Sequence, residues 1–275
     1  MSVAIRPLLS LPLAEICVVY NEAFGDYVVD LSVDEESLLR EMVLEGVDAA
    51  ASRLAVVDGV AAGVALVARS GWDARITAMA VAPAARGRGA GRALIDGVIG
   101  DARAAGVRRL ELEVIVGNAP AQALYDSAGF RPLRRLVSYA LSSAAVGIAA
   151  HLEEVHIAEV ARRMAAHGPP DLPWQIRAET LVRLTPPERG YSLDGAYVVV
   201  SDPGARAVRI RGLVTEPGAR GLGRAAALIG ALMARFPDRA WEVPALCPEE
   251  AGGVFERMGF RRGELSQHQM VLEVG

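Results

Sequence analysis

The stretch Val81-Ala-Pro-Ala-Ala-Arg86-Gly-Arg-Gly-Ala-Gly91 is the most informative part of the sequence, because alternating glycines join a strand-like run to a helical run. Successive glycines let backbone N–H groups converge without interference from Cβ atoms. A helix that begins directly after the turn adds the positive end of its dipole. The stretch therefore predicts a strand–loop–helix unit that can hold a pyrophosphate.

A second copy of this stretch occurs as Thr215-Glu-Pro-Gly-Ala-Arg220-Gly-Leu-Gly-Arg-Ala225. Both copies follow a strand-like run and precede an Ala- and Leu-rich helical run, and each is followed later by a Gly-Phe pair, Gly129-Phe130 and Gly259-Phe260. One Arg-x-x-Gly-x-Gly/Ala pattern has little specificity in a chain rich in Arg, Gly and Ala. Two copies in register indicate an internal duplication.

Composition and charge exclude several classes of protein. The 29 basic residues are all Arg, and the net charge of −4 gives no sign of the basic face that a nucleic-acid-binding protein needs. Cys17 and Cys247 lie far apart with no His or Cys at ligand spacing, which argues against a disulfide framework or a metal site. The N-terminus lacks the pattern of a signal peptide, and no apolar run is long enough to span a membrane. We expect a cytoplasmic protein with no metal, nucleic-acid or membrane partner.

The duplication divides the chain of 275 residues into two predicted domains, 1–141 and 142–275. In the first domain, the turn Asp58-Gly59 between two strand-like runs predicts a hairpin, and Leu136–Leu141 is the expected closing strand. The small residues Ser142–Gly147 mark the boundary. The second domain is expected to begin with a helix near Ala149–Ala166.

Five motifs of the first half resemble the GNAT family of N-acetyltransferases: Met79-Ala-Val-Ala-Pro83, Arg86–Gly91, Leu112-Glu-Val114, Asn118-Ala-Pro-Ala-Gln-Ala-Leu-Tyr125 and Gly129-Phe130. The resemblance covers residues 3–141 and, less closely, about 175–272. It implies an α/β fold of two tandem GNAT-like domains, each a curved mixed α+β sheet flanked by helices. In this family the central parallel strands splay apart, and the split holds the pantetheine arm of acetyl-CoA, the expected co-substrate.

The resemblance also assigns the residues that would bind acetyl-CoA. In the first half they are the strand end, the loop with the start of its helix, and an asparagine after the next strand: Met79, Ala80, Val81, Arg86, Gly87, Arg88, Gly89, Ala90, Gly91, Arg92 and Asn118. Backbone N–H groups near Met79–Val81 would polarise the thioester carbonyl, a role that needs no side chain. The second loop is a weaker candidate of the same kind, with Arg220, Gly221, Leu222, Gly223, Arg224 and Ala225.

Acyl transfer from a thioester to an amine needs a group that protonates the departing thiolate and a group that deprotonates the amine. Tyr125 lies seven residues after Asn118, where the family places its proton-donating tyrosine. Its ordinary pKa near 10 keeps a tyrosine protonated at neutral pH. Glu113 is the candidate base, because strand alternation puts Glu111 and Glu113 on one face and Glu113 resembles the catalytic glutamate of protein-N-terminal acetyltransferases. Deprotonation through water is the alternative.

The second half has lost the proton donor. Alignment of Gly259-Phe260 on the first Gly-Phe pair places Phe255 at the position of Tyr125, and phenylalanine carries no proton to donate. The same alignment sets Pro248 against Asn118 and Val243 against Glu113. A shift of one residue would set Cys247 and Glu242 there instead, so the base comparison stays open. We predict a catalytic first half and a degenerate second half.

These observations predict an N-acetyltransferase that acts on a primary amine of a small molecule or peptide. The alternatives are transfer of a longer acyl group and a catalytically silent acyl-CoA-binding or regulatory protein. The segment Glu22–Asp48 carries nine acidic residues and one Arg; it could border a cationic acceptor, but such a run more often forms the solvated face of helices. A monomer is compatible with the sequence, since tandem halves can imitate a dimer.

Overall fold

The computed structural model describes residues 2–142 and 151–275. Its contacts divide the chain into two compact units, residues 1–133 with 269–275, and residues 134–268. Helices and a mixed sheet occur in both units, which confirms the predicted α/β class. Among the residues described, no helix is long and apolar enough to cross a membrane.

In the first unit, five strands stand in the order of the chain, and all neighbours are antiparallel except the last two, which are parallel. The strands are β1 Val3–Pro7, β2 Arg53–Val57, β3 Val60–Ser70, β4 Asp73–Val81 and β5 Arg109–Ile115. The helices are α1 Leu13–Phe24, α2 Glu35–Glu45, α3 Ala90–Ala104 and α4 Ala119–Ser127, after which β6 Arg131–Leu141 leads into the second unit. The predicted hairpin turn is present, with φ of 50° at Asp58 and 89° at Gly59.

The second unit repeats this arrangement. Its strands are β7 Glu153–Val155, β8 Arg189–Leu193, β9 Ala196–Val200, β10 Ala207–Thr215, β11 Ala240–Pro248 and β12 Arg261–Glu273. Its helices are α5 Ile157–His167, α6 Ala178–Leu181, α7 Arg224–Arg235 and α8 Gly253–Arg257. The sheet order is β12-β6-β11-β10-β9-β8-β7, with β10 and β11 parallel.

The helix expected at Ala149–Ala166 begins at Ile157 and follows the short strand β7. Residues 149 and 150, and the part of the expected boundary Ser142–Gly147 that starts at residue 143, lie outside the described residues.

The expectation that Leu136–Leu141 closes the first sheet is wrong. This part of β6 belongs to the second unit, where it pairs with β11. The last part of β12 lies beside β5 in the first unit instead. The physical reason is burial, because Met270 and Leu272 of β12 pack in the core around α3, whereas Val137 packs in the core around α7. The bounds 1–141 and 142–275 describe the two repeats of the sequence and not the two compact units. As limits of the repeats they stay a prediction.

Apolar cores lie on both faces of the first sheet and hold the helices α1, α2 and α3 against it. On one face Leu94, Ile95 and Val98 of α3 pack against the sheet, and on the other α1 and α2 cover it. The spacing of the α3 residues places them along one side of a helix. Helix α7 repeats that spacing with Leu228, Ile229 and Leu232 in the core of the second unit, so the duplication extends to the packing.

Candidate active site

The parallel strands β4 and β5 separate part-way along their length. They pair at only three positions, from Asp73 opposite Arg109 to Arg75 opposite Glu111. Beyond this point β4 stays paired with β3 as far as Val81, while β5 continues to Ile115. The two strands therefore diverge, as the family resemblance implied, and open a gap in the sheet.

A cavity of about 690 Å³ lies at this gap. Its walls are the end of β4, the end of β5 and the turn after it, the start of α3, α4, and the end of α1 with the loop that follows. Ligand cavities usually measure roughly 300–1,000 Å³. The volume therefore suits an extended small molecule.

Backbone N–H groups of β4 face the gap. The N–H of Ala82 donates to the carbonyl of Ala62 at 2.7 Å, so residue 82 points its N–H toward the neighbouring β3 segment. Alternate residues of an antiparallel strand direct their N–H groups to the same neighbour. The N–H groups of Met79 and Val81 therefore point the other way, toward the gap, where a developing negative charge would be stabilised.

The loop between β4 and α3 has left-handed backbone at both of its glycines, with φ of 72° at Gly87 and 82° at Gly89. A Cβ at either position would meet no atom within 4 Å. Glycine is therefore required there for conformation and not for space. The first helical hydrogen bond runs from the N–H of Ala93 to the carbonyl of Gly89, so the preceding N–H groups have no partner inside the helix.

Three arginines of the loop region form ion pairs, and those of Arg86 tie the loop to the segment after α1. Arg86 donates to the carbonyl of Val81 at 2.8 Å and binds both oxygens of Asp26 at 2.6 and 2.7 Å. Hydrogen bonding from Arg86 lowers the pKa of the Asp26 carboxyl. Arg88 lies 3.4 Å from Asp58, and Arg92 binds Asp96 at 2.8 Å. Arg86 and Arg92 line the cavity, whereas Arg88 is not part of its lining.

Tyr125, the predicted proton donor, lines the cavity and is 7% exposed. Its ring packs edge-on against Phe130 with ring centres 5.9 Å apart. Burial raises the pKa of its hydroxyl, and the neighbouring Tyr27 raises it further. The phenol therefore keeps its proton throughout the neutral range.

Tyr27 is a candidate residue that the sequence analysis missed. It lies in the loop after α1, is partly buried, and lines the same cavity as Tyr125. Its ring stands perpendicular to Phe24, at 89° and 5.5 Å between ring centres. Burial raises the pKa of Tyr27, while a hydrogen bond with the side chain of Asn118 lowers it. The local sequence Gly25-Asp26-Tyr27 after a helix does not indicate that this tyrosine lines a cavity. Its position beside Tyr125 becomes evident only from the folded structure.

Asn118 connects α4 with Tyr27. Its side-chain oxygen accepts from the N–H of Ala121 at 3.3 Å and so caps the helix. Its side chain also lowers the pKa of the Tyr27 hydroxyl.

Glu113, the predicted base, lies in a buried ion pair. One of its oxygens accepts from two nitrogens of Arg75 at 2.6 and 2.7 Å. Arg75 also binds Glu45, at the end of α2, at 2.6 Å. Glu113 is not part of the lining of the cavity. Glu111, on the same strand, is fully buried and lies 2.9 Å from Arg109.

The acidic segment Glu22–Asp48 is largely engaged in the structure of the first unit. Four of its carboxylates bind an arginine: Asp26, Glu36, Glu45 and Asp48. Asp34 caps α2 by accepting from Ser37, and Asp30 accepts from Ser32. These contacts favour the structural interpretation of the charge run over a cationic acceptor site.

The second loop reproduces the first in its backbone. Gly221 and Gly223 have φ of 74° and 73°, and Arg220 donates to the carbonyl of Thr215 as Arg86 does to Val81. A second bond joins Arg220 to the carbonyl of His167, and Arg224 binds Asp194 at 2.7 Å. None of the residues 220–225 lines the cavity of about 140 Å³ in this unit.

The strand register of the second unit settles the open comparison of the bases. β10 and β11 also pair at three positions, from Ala207 opposite Ala240 to Arg209 opposite Glu242. Glu242 therefore corresponds to Glu111, and Pro244 corresponds to Glu113. Neither Val243 nor Glu242 occupies the position of Glu113, so both alignments were wrong there.

Phe255 packs against Phe260 at 5.6 Å, as Tyr125 does against Phe130. Pro248 precedes the helical turn Glu249–Ala251 as Asn118 precedes α4. The second unit therefore has neither the hydroxyl nor the amide of the first at these two positions. Within residues 2–142 and 151–275, no three His, Cys, Asp or Glu side chains form a group that could hold a metal ion.

Comparison with known proteins agrees with this geometry. Residues 16–130 match the family model described as the acetyltransferase (GNAT) family. The mycothiol acetyltransferase of Beutenbergia cavernae is 46% identical over 66 residues, which are 24% of this chain and 22% of that protein. The streptothricin acetyltransferase of Streptomyces lavendulae is 42% identical over 90 residues, 31% of this chain and 48% of that protein. The chain thus covers less than half the length of either relative.

A solved structure resembles the whole chain. The tandem GNAT protein from the clavulanic acid biosynthesis pathway has a TM-score of 0.67 and 16% sequence identity, and the match covers 100% of this chain and 99% of that one. At this identity the likeness concerns the fold alone. It agrees with two domains of one kind in tandem.

Proposed function

We propose that this chain, whose residues 16–130 form an acetyltransferase domain of the GNAT family, transfers an acetyl group from acetyl-CoA to a primary amine of a small molecule or peptide. The observation that carries the proposal is the cavity of the first unit. It extends from the glycine loop at Gly87 and Gly89 to the buried hydroxyl of Tyr125. One continuous space thus joins an anion-binding loop to a proton donor.

The residues of the first loop fit the pyrophosphate of acetyl-CoA. Gly87 and Gly89 give the loop its left-handed backbone, and the N–H groups of residues 90–92 stand at the start of α3 before the helical bonds begin. Such a helix start attracts anions. Arg92 lines the same space, and Arg86 holds the loop against Asp26. Acetyl-CoA, when bound, supplies the acetyl group as an activated thioester.

Backbone N–H groups of β4 would polarise the carbonyl of the acetyl thioester. The outward N–H groups of Met79 and Val81 are donors fixed by the strand, so they need not reorganise as charge develops on an oxygen. Tyr125 would give its proton to the departing thiolate. Its burial favours the protonated phenol, which is the form required.

For loss of a proton from the amine, the candidates remain Glu113 and water. The ion pair with Arg75 opposes a role for Glu113, because protonation of this carboxylate would break a buried contact of 2.6 Å. Loss of the proton to water breaks no such contact. We therefore favour water and assign Glu113 to the support of Arg75 and β5.

The second unit, in this proposal, does not transfer acetyl groups. It has Phe255 where the first unit has Tyr125, its loop residues lie away from its cavity, and that cavity has about one fifth of the volume of the first. Its loop retains the left-handed glycine backbone, so a titration with acetyl-CoA has to distinguish the two loops.

Two measurements test the proposal. Calorimetric titration of the full chain with acetyl-CoA should give one tight site. A thiol-release assay with acetyl-CoA and a panel of primary amines should find an accepted amine; the panel spans polyamines, amino sugars, amino acids and short peptides. A tight site without turnover of any amine would instead support a silent acyl-CoA-binding protein. Faster turnover with butanoyl-CoA than with acetyl-CoA would support transfer of a longer acyl group.

A further inference from the structure

The second unit has a cavity that the acetyl-transfer site does not use. Its volume is about 140 Å³, and it lies where β10 and β11 diverge. Most of its wall is apolar, with Leu172, Ile176, Leu213, Val254 and Phe255 among the lining residues. The space corresponds to roughly five groups the size of a water molecule. It therefore suits a small molecule with a short apolar chain.

Arg211 is the one cation in the lining of this cavity as the structure describes it. It occupies a β-bulge, where the register between β9 and β10 shifts from Ile210 to Gly212. A bulge inserts an extra residue and turns its side chain away from the regular pattern. The corresponding bulge residue of the first unit is Thr77, which carries no charge. The second unit has thus acquired a guanidinium at this place.

The guanidinium of Arg211 has a buried N–H group that lacks a hydrogen-bond acceptor within the described residues. Its nearest carboxylate is Glu188 at 3.7 Å, which is too long for a hydrogen bond. Its Nε is buried and makes no hydrogen bond with any residue that the structure describes. A buried donor without a partner is unfavourable, and a planar guanidinium binds a carboxylate through two parallel bonds. A ligand carboxylate would supply the acceptor that Glu188 does not reach.

Other residues of the cavity do not oppose an anion. Cys247 lines it, and burial, followed by the charge of Glu250, raises the pKa of its thiol to about 12. The thiol is therefore neutral near pH 7. Phe255 contributes an uncharged ring. Because neither residue can donate or take up a proton in the neutral range, the cavity is suited to binding and not to catalysis.

The loop at residues 220–225 limits the size of the ligand. It does not line the cavity, and its arginines already bind Asp194 and the carbonyls of Thr215 and His167. A ligand confined to the cavity makes no contact with this loop. The ligand is therefore short.

From these observations we infer that the cavity of the second unit is a binding site for a short-chain carboxylate of about four carbon atoms. Arg211 holds the carboxylate, and the apolar wall around Val254 and Phe255 holds the chain. No covalent step takes place at this site. The inference is independent of acetyl transfer in the first unit.

Calorimetric titration of the full chain with sodium butanoate tests the inference. Butan-1-ol and butylammonium chloride serve as neutral and cationic probes of the same length. Butanoate should bind saturably to one site, and the two other probes should bind at least about tenfold more weakly, as expected when a charge-assisted hydrogen bond is lost. Arg211→Met should weaken butanoate binding by a similar factor.

The matched control is Arg209→Met, which removes an exposed guanidinium from the same strand. It should leave the affinity for butanoate unchanged. Thermal unfolding of both variants checks that they fold, and Arg211→Lys, which retains a charge, provides a second variant if Arg211→Met does not. Equal binding of butanoate and butanol, or binding that Arg211→Met and Arg209→Met affect alike, would overturn the inference.

Discussion

Arg75 holds the carboxylate of Glu113 at 2.6 Å beside the last paired residues of β4 and β5. Both side chains are almost completely buried, and Glu45 of α2 binds the opposite side of the guanidinium at 2.6 Å. The contact therefore ties together two strands and a helix just before the sheet opens.

Glu113→Gln should lower the free energy of unfolding by roughly 3 kcal/mol, because the buried Arg75 charge is then compensated by Glu45 alone. The rate of acetyl transfer near neutral pH should change only severalfold. Urea unfolding and thiol release measure the two effects. A large loss of turnover with a changed pH profile and unchanged stability would instead identify Glu113 as the base.

Tyr125→Phe should reduce kcat roughly a hundredfold or more, the usual contribution of a general acid, with little change in the affinity for acetyl-CoA. Thiol release with an accepted amine measures kcat. The control is Tyr139→Phe, which removes the hydroxyl of a buried tyrosine of the second unit. Turnover that is the same in both variants would remove Tyr125 from the mechanism.

Tyr27→Phe should lower kcat/KM roughly tenfold, because the cavity loses a hydroxyl that can hydrogen-bond a bound substrate. Steady-state kinetics with acetyl-CoA as the varied substrate would detect this change. Tyr20→Phe is the matched control, since Tyr20 also packs against Phe24, at 4.7 Å, but does not line the cavity. An equal effect of the two substitutions would indicate a packing role for both rings.

The two loops offer a matched pair of glycines. Gly89→Val and Gly223→Val each force a β-branched residue to a φ of 82° or 73°, so both should lose about 1–2 kcal/mol of stability. Only Gly89→Val should abolish the binding of acetyl-CoA in calorimetry. Loss of binding in Gly223→Val alone would place the cofactor site in the second unit.

Stability should fall at alkaline pH. Burial raises the pKa of Tyr20 and of Tyr125 above the ordinary value near 10. Above pH 10 the unfolded chain loses these protons while the folded chain keeps them, so unfolding becomes more favourable as the pH rises. Below pH 10 both states are protonated and the effect is absent. Urea unfolding from pH 8 to 11 should show the decline, and a Tyr20→Phe/Tyr125→Phe variant should show a shallower one.

The repeated sequence was sufficient to predict the local features of both units. In both halves a helix follows the glycine-rich turn, as the Ala- and Leu-rich runs predicted, because such residues favour a helix wherever the chain places them. The hairpin turn predicted at Asp58-Gly59 is also present, because both residues readily adopt the positive φ that such a turn requires. Local chemistry decides such features.

Features that depend on which strand pairs with which sheet could not be predicted. β6 and the end of β12 are both apolar strands that follow a Gly-Phe pair, so no property of the sequence says which one lies beside β5. The proximity of Tyr27 to Tyr125 depends in the same way on where α1 ends above the sheet. The ion pair of Arg75 with Glu113 joins residues 38 apart, and neither residue type marks the other as its partner.

The exchange of strand ends has a consequence for biosynthesis. The first unit consists of residues 1–133 and 269–275. During translation, the first of these segments of the proposed catalytic unit is therefore synthesised before the second unit, and the other is synthesised after it. Until residues 269–275 emerge, β5 lacks its outer neighbour and the core around α3 lacks Met270 and Leu272. The unit that is translated first is thus completed only after residues 269–275 have emerged.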